Sequence, residues 1–335
     1  MRFHLSPEQV AIQDAVRGTL SDCWGTEQLH RFADSDADFD ARSWAALTEL
    51  GIGALALPED DGGAGLGLLE AALVCEIVGE AAAVGPVIGQ IVGALAVAAC
   101  KVAATRDLLD GIASGDSVVS LALGSELVQC ASSAHFFLTE DDRGGLQLVV
   151  AGEGVEIEPV AATDRTRPVS RVTFGGAEAY PLFAAGNPMV QRIRDAALIL
   201  IAADSLGGAN HCTQQSVEYA KTREQFGQPI GRFQSLKHQL AQMAMEVEPG
   251  RAQLWYAAYA WDAALPDSSR AAAMAKAHLC EVYTRITRAA IAAHGGIGYT
   301  WEYGLNYWFR RSIHNRAWLG SPSELRARAA ALADW

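Results

Sequence analysis

The spacing of apolar positions divides the chain into three stretches. Up to about residue 112 they recur at helical spacing. Ser6-Pro7-Glu8-Gln9 reads as a helix start, with Ser6 as cap, Pro7 in the first turn and Gln9 reaching back, and predicts a helix to about residue 21. Further helices are predicted over residues 44–50, 68–80, 87–100 and 105–112. Near Asp116 the pattern changes to short, β-branched or alternating runs at residues 118–123, 135–139, 146–150, 155–159 and 171–174, which predict strands. Asp141-Asp142-Arg143-Gly144-Gly145 separates two of them like a hairpin turn. Near Asn187 the helical period resumes and continues almost to Trp335. The expected organisation is α+β: an N-terminal helical domain over 1–115, a reduced middle β domain over 116–182 and a C-terminal helical domain over 183–335.

The 335 residues, half of them hydrophobic, suffice for two or three domains and a sizeable core. No uninterrupted apolar run is long enough for a bilayer. Residues 81–99 come closest, but Gly85, Pro86, Gly89 and Gly93 break the run, which reads as a buried helical hairpin. The N-terminus lacks a basic region followed by an apolar one, so no secretion signal is expected. Cys23, Cys75, Cys100, Cys130, Cys212 and Cys280 form no C-x-x-C pair and fit inert thiols in a reducing cytoplasm. The net charge of −13 argues against nucleic acid or an anionic membrane as partner. An anionic ligand must therefore be met by local arginines and helix ends. His211, His238 and His278 lack the spacing of a metal site, and no metal is expected.

Two segments carry candidate chemistry. Residues 223–234, Arg223-Glu224-Gln225-Phe226-Gly227-Gln228-Pro229-Ile230-Gly231-Arg232-Phe233-Gln234, connect two helical runs. Gly227, Gly231 and Pro229 disfavour continuing a helix there. Arg223 can grip a phosphate or pyrophosphate through its planar fork, and a neighbouring aromatic can cover a flat ring. The alternative is a polar loop with Phe226 and Phe233 plugging the core. Downstream, His294-Gly295-Gly296-Ile297-Gly298-Tyr299-Thr300-Trp301-Glu302-Tyr303 follows a helical run. Its paired glycines read either as a helix C-cap or as an opening for backbone amides to approach a ligand. The glycine-rich run from Gly62 to Gly67 lacks G-x-G-x-x-G spacing and a β-α-β context, so a dinucleotide fingerprint is rejected. Trp255, Tyr256, Tyr259 and Trp261 read as core or subunit packing on one helix, which Pro249 should kink or break.

In order and spacing, the two segments resemble the acyl-CoA dehydrogenase family. Its C-terminal domain carries an R-x-[QT]-F-G-x-x-[IL]-x-x-x-Q loop and a G-G-x-G-[YF]-x-x-E-[YF] turn. The α-β-α order is similar, as is the L-G-x-x-x-x-x-x-P-E-x-x-G-G-x-G passage, which here ends in Pro58-Glu59 and Gly62-Gly63-Ala64-Gly65. The resemblance implies an all-α N-terminal domain, a small β domain and a C-terminal four-helix bundle. It implies FAD-dependent α,β-desaturation of an acyl-CoA, with a carboxylate taking the α proton while the β hydrogen leaves as hydride. The family's base stands in one of two places. Here these hold Leu319, within Trp318-Leu319-Gly320-Ser321, and the pair Ala197-Leu198; Asp195 lies two residues away. Leu121-Ala122-Leu123-Gly124-Ser125-Glu126 stands where the family has a T-E-P-x-x-G-S-D flavin passage, and its W-[IV]-[TS]-[NS] passage has no equivalent. No catalytic residue is therefore assigned.

What remains is the part that one subunit lends to the FAD held by its neighbour. Arg223, Gln225, Phe226, Ile230, Phe233, Gln234, Gly295 and Gly296 match it; Ala292, where a Gln is usual, departs from it. The G-G-I-G-Y-T-W-E-Y ending, the Arg310-Arg311 pair and Asp164-Arg165-Thr166-Arg167-Pro168 are similar to the short non-catalytic subunits of heteromeric acyl-CoA dehydrogenases of actinobacterial sterol catabolism. That likeness implies an α2β2 heterotetramer with a catalytic dehydrogenase subunit. It also implies FAD shared at the unlike interface and a bulky steroid-type acyl-CoA in the partner's site. Two alternatives stay open. One is a self-sufficient homomeric dehydrogenase with Asp195 or another carboxylate as base; the other is a structural subunit without cofactor contact.

Overall fold

The computed structural model describes residues 4–100 and 102–333; Trp335 lies outside them. Local capping sets the first helix, α1 (Pro7–Cys23). Ser6 Oγ accepts from Gln9 N at 3.2 Å while Ser6 N donates to the Gln9 side chain at 2.9 Å. There follow α2 (Thr26–Ala33), α3 (Ala41–Glu49), α4 (Leu68–Glu80), α5 (Val87–Cys100) and α6 (Ala103–Ser114). α4 and α5 are buried on nearly every side, which is why both read as continuous apolar runs. α2 was not expected: its eight residues bury only Leu29, Phe32 and Ala33, too short a stripe to stand out. No helix among the described residues is long and apolar enough to cross a membrane.

The middle region holds two sheets. In the first, β1 (Val119–Ala122) runs parallel to β3 (Phe136–Glu140), which pairs antiparallel with β4 (Leu146–Val150), itself flanked by β7 (Ala179–Phe183). In the second, β6 (Val169–Phe174) lies between β2 (Leu127–Gln129) and β5 (Val155–Val160). The turn at Asp141 forms as expected, its Oδ1 accepting from the amides of Arg143 and Gly145, each at 2.8 Å. β2 and β7 were not foreseen. One is three residues long; the other carries Pro181, tolerated because β7 is an edge strand.

Asn187 caps α7 (Pro188–Thr222), the central helix. α8 (Gln234–Asp262), α9 (Ser268–His294), α10 (Leu305–Ala317) and α11 (Pro322–Ala331) pack around it. Gly79 of α4 and Gly207 of α7 let those two backbones close up; a Cβ on either would overlap the other's main chain. α8 passes through Pro249 without a break, so of the kink or break expected there the break does not occur. Val247, Gly250 and Leu254 are buried around it, and that packing outweighs the roughly 3 kcal/mol of an internal proline. Of the aromatics on this helix, Trp255 and Trp261 are core, whereas Tyr256 and Tyr259 reach solvent.

A buried charge cluster ties the regions together. Asp204 on α7 accepts from Arg167 Nη2 at 2.7 Å, Arg311 Nε at 3.1 Å and Asn315 Nδ2 at 2.6 Å, and also from Arg311 Nη2. Arg311 Nη1 donates to Ala83 O at 2.9 Å and Thr166 Oγ1 at 3.3 Å. Burial alone would raise the Asp204 pKa; Arg167 and Arg311 overcome it and hold the carboxyl well below the usual range.

Candidate functional site

Residues 223–234 form a projecting hairpin rather than a plain connection. The amide of Arg223 closes α7 on Tyr219 O at 2.8 Å. β8 (Glu224–Gln225) then pairs antiparallel with β9 (Gln228–Pro229), and Ile230 N returns to Arg223 O at 2.8 Å. The two turn residues, Phe226 (φ 54°) and Gly227 (φ 77°), are both left-handed, as a two-residue type I′ turn requires. Phe226 is 91% exposed, so it plugs no core; Phe233 is half-buried and meets its ring edge-on at 6.0 Å. Gln225 Nε2 donates to Glu224 O at 2.8 Å, and Gln234 lies 3.2 Å from His238 Nε2. The Arg223 side chain is exposed and makes no hydrogen bond or ion pair among the described residues.

The glycine turn lies at the same end of the helices. The ring of His294, the last residue of α9, stacks on Tyr219 at 4.4 Å and meets Tyr303 at 4.8 Å. Gln239 Nε2 near the start of α8 donates to Ala289 O at 2.9 Å. The eight residues singled out from sequence are thus brought to one end of the helices. The Tyr219–His294–Tyr303 stack was missed, although His294 and Tyr303 bound the glycine segment and Tyr219 stands one turn before Arg223. His294 Nδ1–H donates to Ala290 O (2.7 Å), while its buried Nε2 has no partner among the described residues; burial pushes its pKa down against that hydrogen bond. Gly295 (φ 67°, ψ −144°) serves as the C-cap, in a conformation that favours glycine. Gly296 differs: its φ is not left-handed, and an added Cβ would meet nothing within 4 Å. Nothing in this chain requires a glycine there.

A cleft of about 350 Å³ opens between β1 and α11. Leu123, Leu198, Leu319 and Leu325 give it an apolar wall. Leu198 and Leu319 belong to one packed cluster. Leu319 has a left-handed φ of 54°, and buried Lys276 holds its loop by donating to Arg316 O (3.2 Å) and Gly320 O. The carboxylates nearby are engaged. Glu324 Oε2 accepts from Ser321 N at 2.7 Å as part of a helix cap. Asp195 is buried; its oxygens accept from Arg328 at 2.6 Å, Gln191 at 3.0 Å and Ser269. Burial raises its pKa, with Arg328 pulling it down.

A separate gap lined by Leu121, Gln129, Arg167 and Trp318 holds only about 10 Å³. The Arg167 guanidinium lies 5.5 Å over the Trp318 ring, and Gln129 links Arg167 (2.9 Å) to His314 (2.6 Å). No cluster of three or more His, Cys, Asp or Glu side chains among the described residues is placed to hold a metal.

Residues 6–116 match the acyl-CoA dehydrogenase N-terminal domain, and residues 189–331 match the acyl-CoA dehydrogenase C-terminal domain. The chain is 31% identical over 330 residues to the acyl-CoA dehydrogenase IpdE2 of Mycobacterium tuberculosis, covering 96% of each chain. Among solved structures, a variant of the Tcur3481-Tcur3483 steroid ACAD superposes with a TM-score of 0.88 at 29% identity, covering 97% of both chains. The ChsE4-ChsE5 complex from Mycobacterium tuberculosis shares the fold, with a TM-score of 0.87 at 24% identity over 99% of this chain and 98% of that one.

Proposed function

The chain belongs to the acyl-CoA dehydrogenase family, and on that premise we propose that it is the non-catalytic subunit of a heteromeric, FAD-dependent dehydrogenase. The observation that carries this reading is the leucine cleft. The two places where the family's base can stand, Leu319 and the pair Ala197-Leu198, meet there through Leu319 and Leu198, and neither offers a carboxylate. Asp195 is a poor substitute because both its oxygens are taken.

FAD, when bound, supplies the hydride acceptor of the reaction. This chain's residues fit one edge of it. The unspent donors of Arg223 suit a pyrophosphate, the open face of Gly296 admits close backbone approach, and the bare ring of Phe226 can cover a base. They do not supply the flavin-ring cradle, since Leu121-Ala122-Leu123-Gly124-Ser125-Glu126 stands where the family has its T-E-P-x-x-G-S-D passage. The reading is therefore that Arg223, Gln225, Phe226, Ile230, Phe233, Gln234, Gly295 and Gly296 complete the FAD site of a catalytic partner in an α2β2 assembly. A bulky steroid-type acyl-CoA in the partner's site is supported by the likeness to the steroid ACAD.

Flavin stoichiometry tests the proposal. The chain is purified alone, and together with the acyl-CoA dehydrogenase encoded beside it, and FAD per chain is read from absorbance. A colourless lone chain and one FAD per heterodimer are expected. A yellow homotetramer with one FAD per chain overturns the reading.

A further inference from the structure

A second cavity, of about 500 Å³, opens between the N-terminal helices and the root of α7. It lies on the side of α7 away from the leucine cleft. At 100° per residue, Met189, Arg192 and Ile193 face one way, and Gln191, Arg194 and Leu198 the other. Its floor is apolar, built from Leu95, Ala98 and Ala99 at the end of α5 and Ile193 of α7. The size falls within the roughly 300–1,000 Å³ typical of small-molecule sites.

Arg192 gives the cavity its polarity. Its guanidinium lies flat against Trp261, 3.9 Å from the ring centroid, and the Trp261 indole N–H donates to the Arg192 carbonyl at 2.8 Å. Among the described residues this guanidinium makes no hydrogen bond and no ion pair. Two carboxylates whose charges act on it are already engaged. Asp262 accepts from the amides of Leu68 (2.7 Å) and Leu69 (3.2 Å), and Asp195 is held by Arg328, Gln191 and Ser269. Arg106, the other cation at the rim, is paired with Asp61 at 3.1 Å. A stacked guanidinium with unspent donors at an apolar cavity is built for one planar anion carried on a hydrocarbon body. A second negative charge would face Asp60 and Asp61 with no cation left for it.

We propose that this cavity binds a carboxylate-bearing hydrocarbon, its carboxylate on the Arg192 fork and its apolar body on the floor made by Leu95, Ala98, Ala99 and Ile193. The site is separate from the hairpin, the glycine turn and the leucine cleft, and stands or falls independently of the flavin reading.

Dodecanoate is a suitable probe, titrated calorimetrically below its micellar concentration into the full chain co-purified with its partner. Saturable binding of one dodecanoate per copy of this chain is expected. Dodecanol should bind at least tenfold more weakly, and dodecyl phosphate no tighter than dodecanoate. Arg192→Gln should weaken dodecanoate at least tenfold, and Ala98→Phe, which fills the floor, should abolish its binding. Absence of dodecanoate binding, equal binding of dodecanol, or affinity unaffected by both variants overturns the proposal. Tighter binding of dodecyl phosphate overturns the carboxylate assignment. If either variant unfolds, as judged by circular dichroism, the comparison of dodecanoate with dodecanol on the unaltered protein decides.

Discussion

Arginine plays opposite parts in two regions of this molecule. In the buried cluster, Arg167 and Arg311 converge on Asp204, and Arg311 extends to Ala83 O and Thr166. In the hairpin, Arg223 stands in solvent with no partner among the described residues. The first region spends its charges on holding α7, α10, the α4–α5 turn and the segment before β6 in one arrangement. The second leaves its charge available to something outside the chain. Residue type alone does not separate structure from function here; unspent donors do.

The largest effect that would break this contrast lies in the cluster. Asp204→Asn leaves two buried guanidiniums with Asp164 as the remaining buried carboxylate acting on them, and loss of the directly bonded counter-charge costs about 3–5 kcal/mol. Denaturant unfolding should show a loss of that order. A change below about 1 kcal/mol would mean that the cluster is solvated and resembles the hairpin after all.

Acid provides the next test. Burial, then Arg167 and Arg311, push His314 down from its ordinary value of 6.5 to about 3. His314 therefore stays neutral in the folded chain while the unfolded chain takes up a proton as pH falls below about 6.5. Stability is lost through that window, down to the folded value near 3. Asp204 does not contribute there. Its folded pKa is depressed, so its contribution is fully present above the unfolded value of about 3.9 and is lost only in stronger acid. The urea midpoint should drop between pH 7 and pH 5 by an amount worth on the order of 1–2 kcal/mol, and His314→Gln should flatten the slope. An unchanged slope in that variant would move the effect to another histidine, with His211, depressed to about 4 by burial, the next to change.

In the hairpin the ordering of effects reverses. Arg223→Ala should leave stability within about 0.5 kcal/mol, as for exposed positions generally. It should weaken flavin retention by the complex by about ten- to a hundredfold, the equivalent of a charge-assisted contact of about 1.5–3 kcal/mol. Flavin content measured through repeated gel filtration separates the outcomes; unchanged retention favours the purely structural alternative.

What the sequence could tell follows the same division. α4 and α5 were legible to the residue because their apolar runs end at Gly, Pro and Glu signals within the run itself. The hairpin and glycine turn were legible as motifs because each is contiguous. The Asp204 cluster was not, although Asp164 to Pro168 and Arg310-Arg311 had both been singled out. It joins side chains 37 and 107 positions apart, and nothing local distinguishes a buried arginine from a solvated one. The second cavity was invisible for the same reason: Arg192 and Trp261 are 69 positions apart. Leu319 was noticed as a missing carboxylate, but only the fold brings it against Leu198.

The smallest effect is the most discriminating. Type I′ turns favour Asn-Gly, because both central residues need φ above zero. Here the first position is Phe226, at φ 54°, a conformation that strains a bulky side chain, and its ring is almost wholly in solvent. Folding gains little from an aromatic there, since the ring is exposed, the backbone is strained and the edge-on contact with Phe233 is its one aromatic pairing among the described residues. A local rule broken with so little compensation within the chain points to a partner or ligand outside it. Phe226→Asn should therefore raise stability by about 0.5–1 kcal/mol, since the αL cost of a non-glycine residue is relieved, and should weaken flavin retention or assembly of the complex at the same time. Thermal unfolding of the lone chain reads the first change, and flavin content and mass of the co-purified complex read the second. A gain in stability with flavin and assembly untouched would mean that the exposed ring is an idle feature. The comparison between spent and unspent side chains would then hold for Arg223 alone.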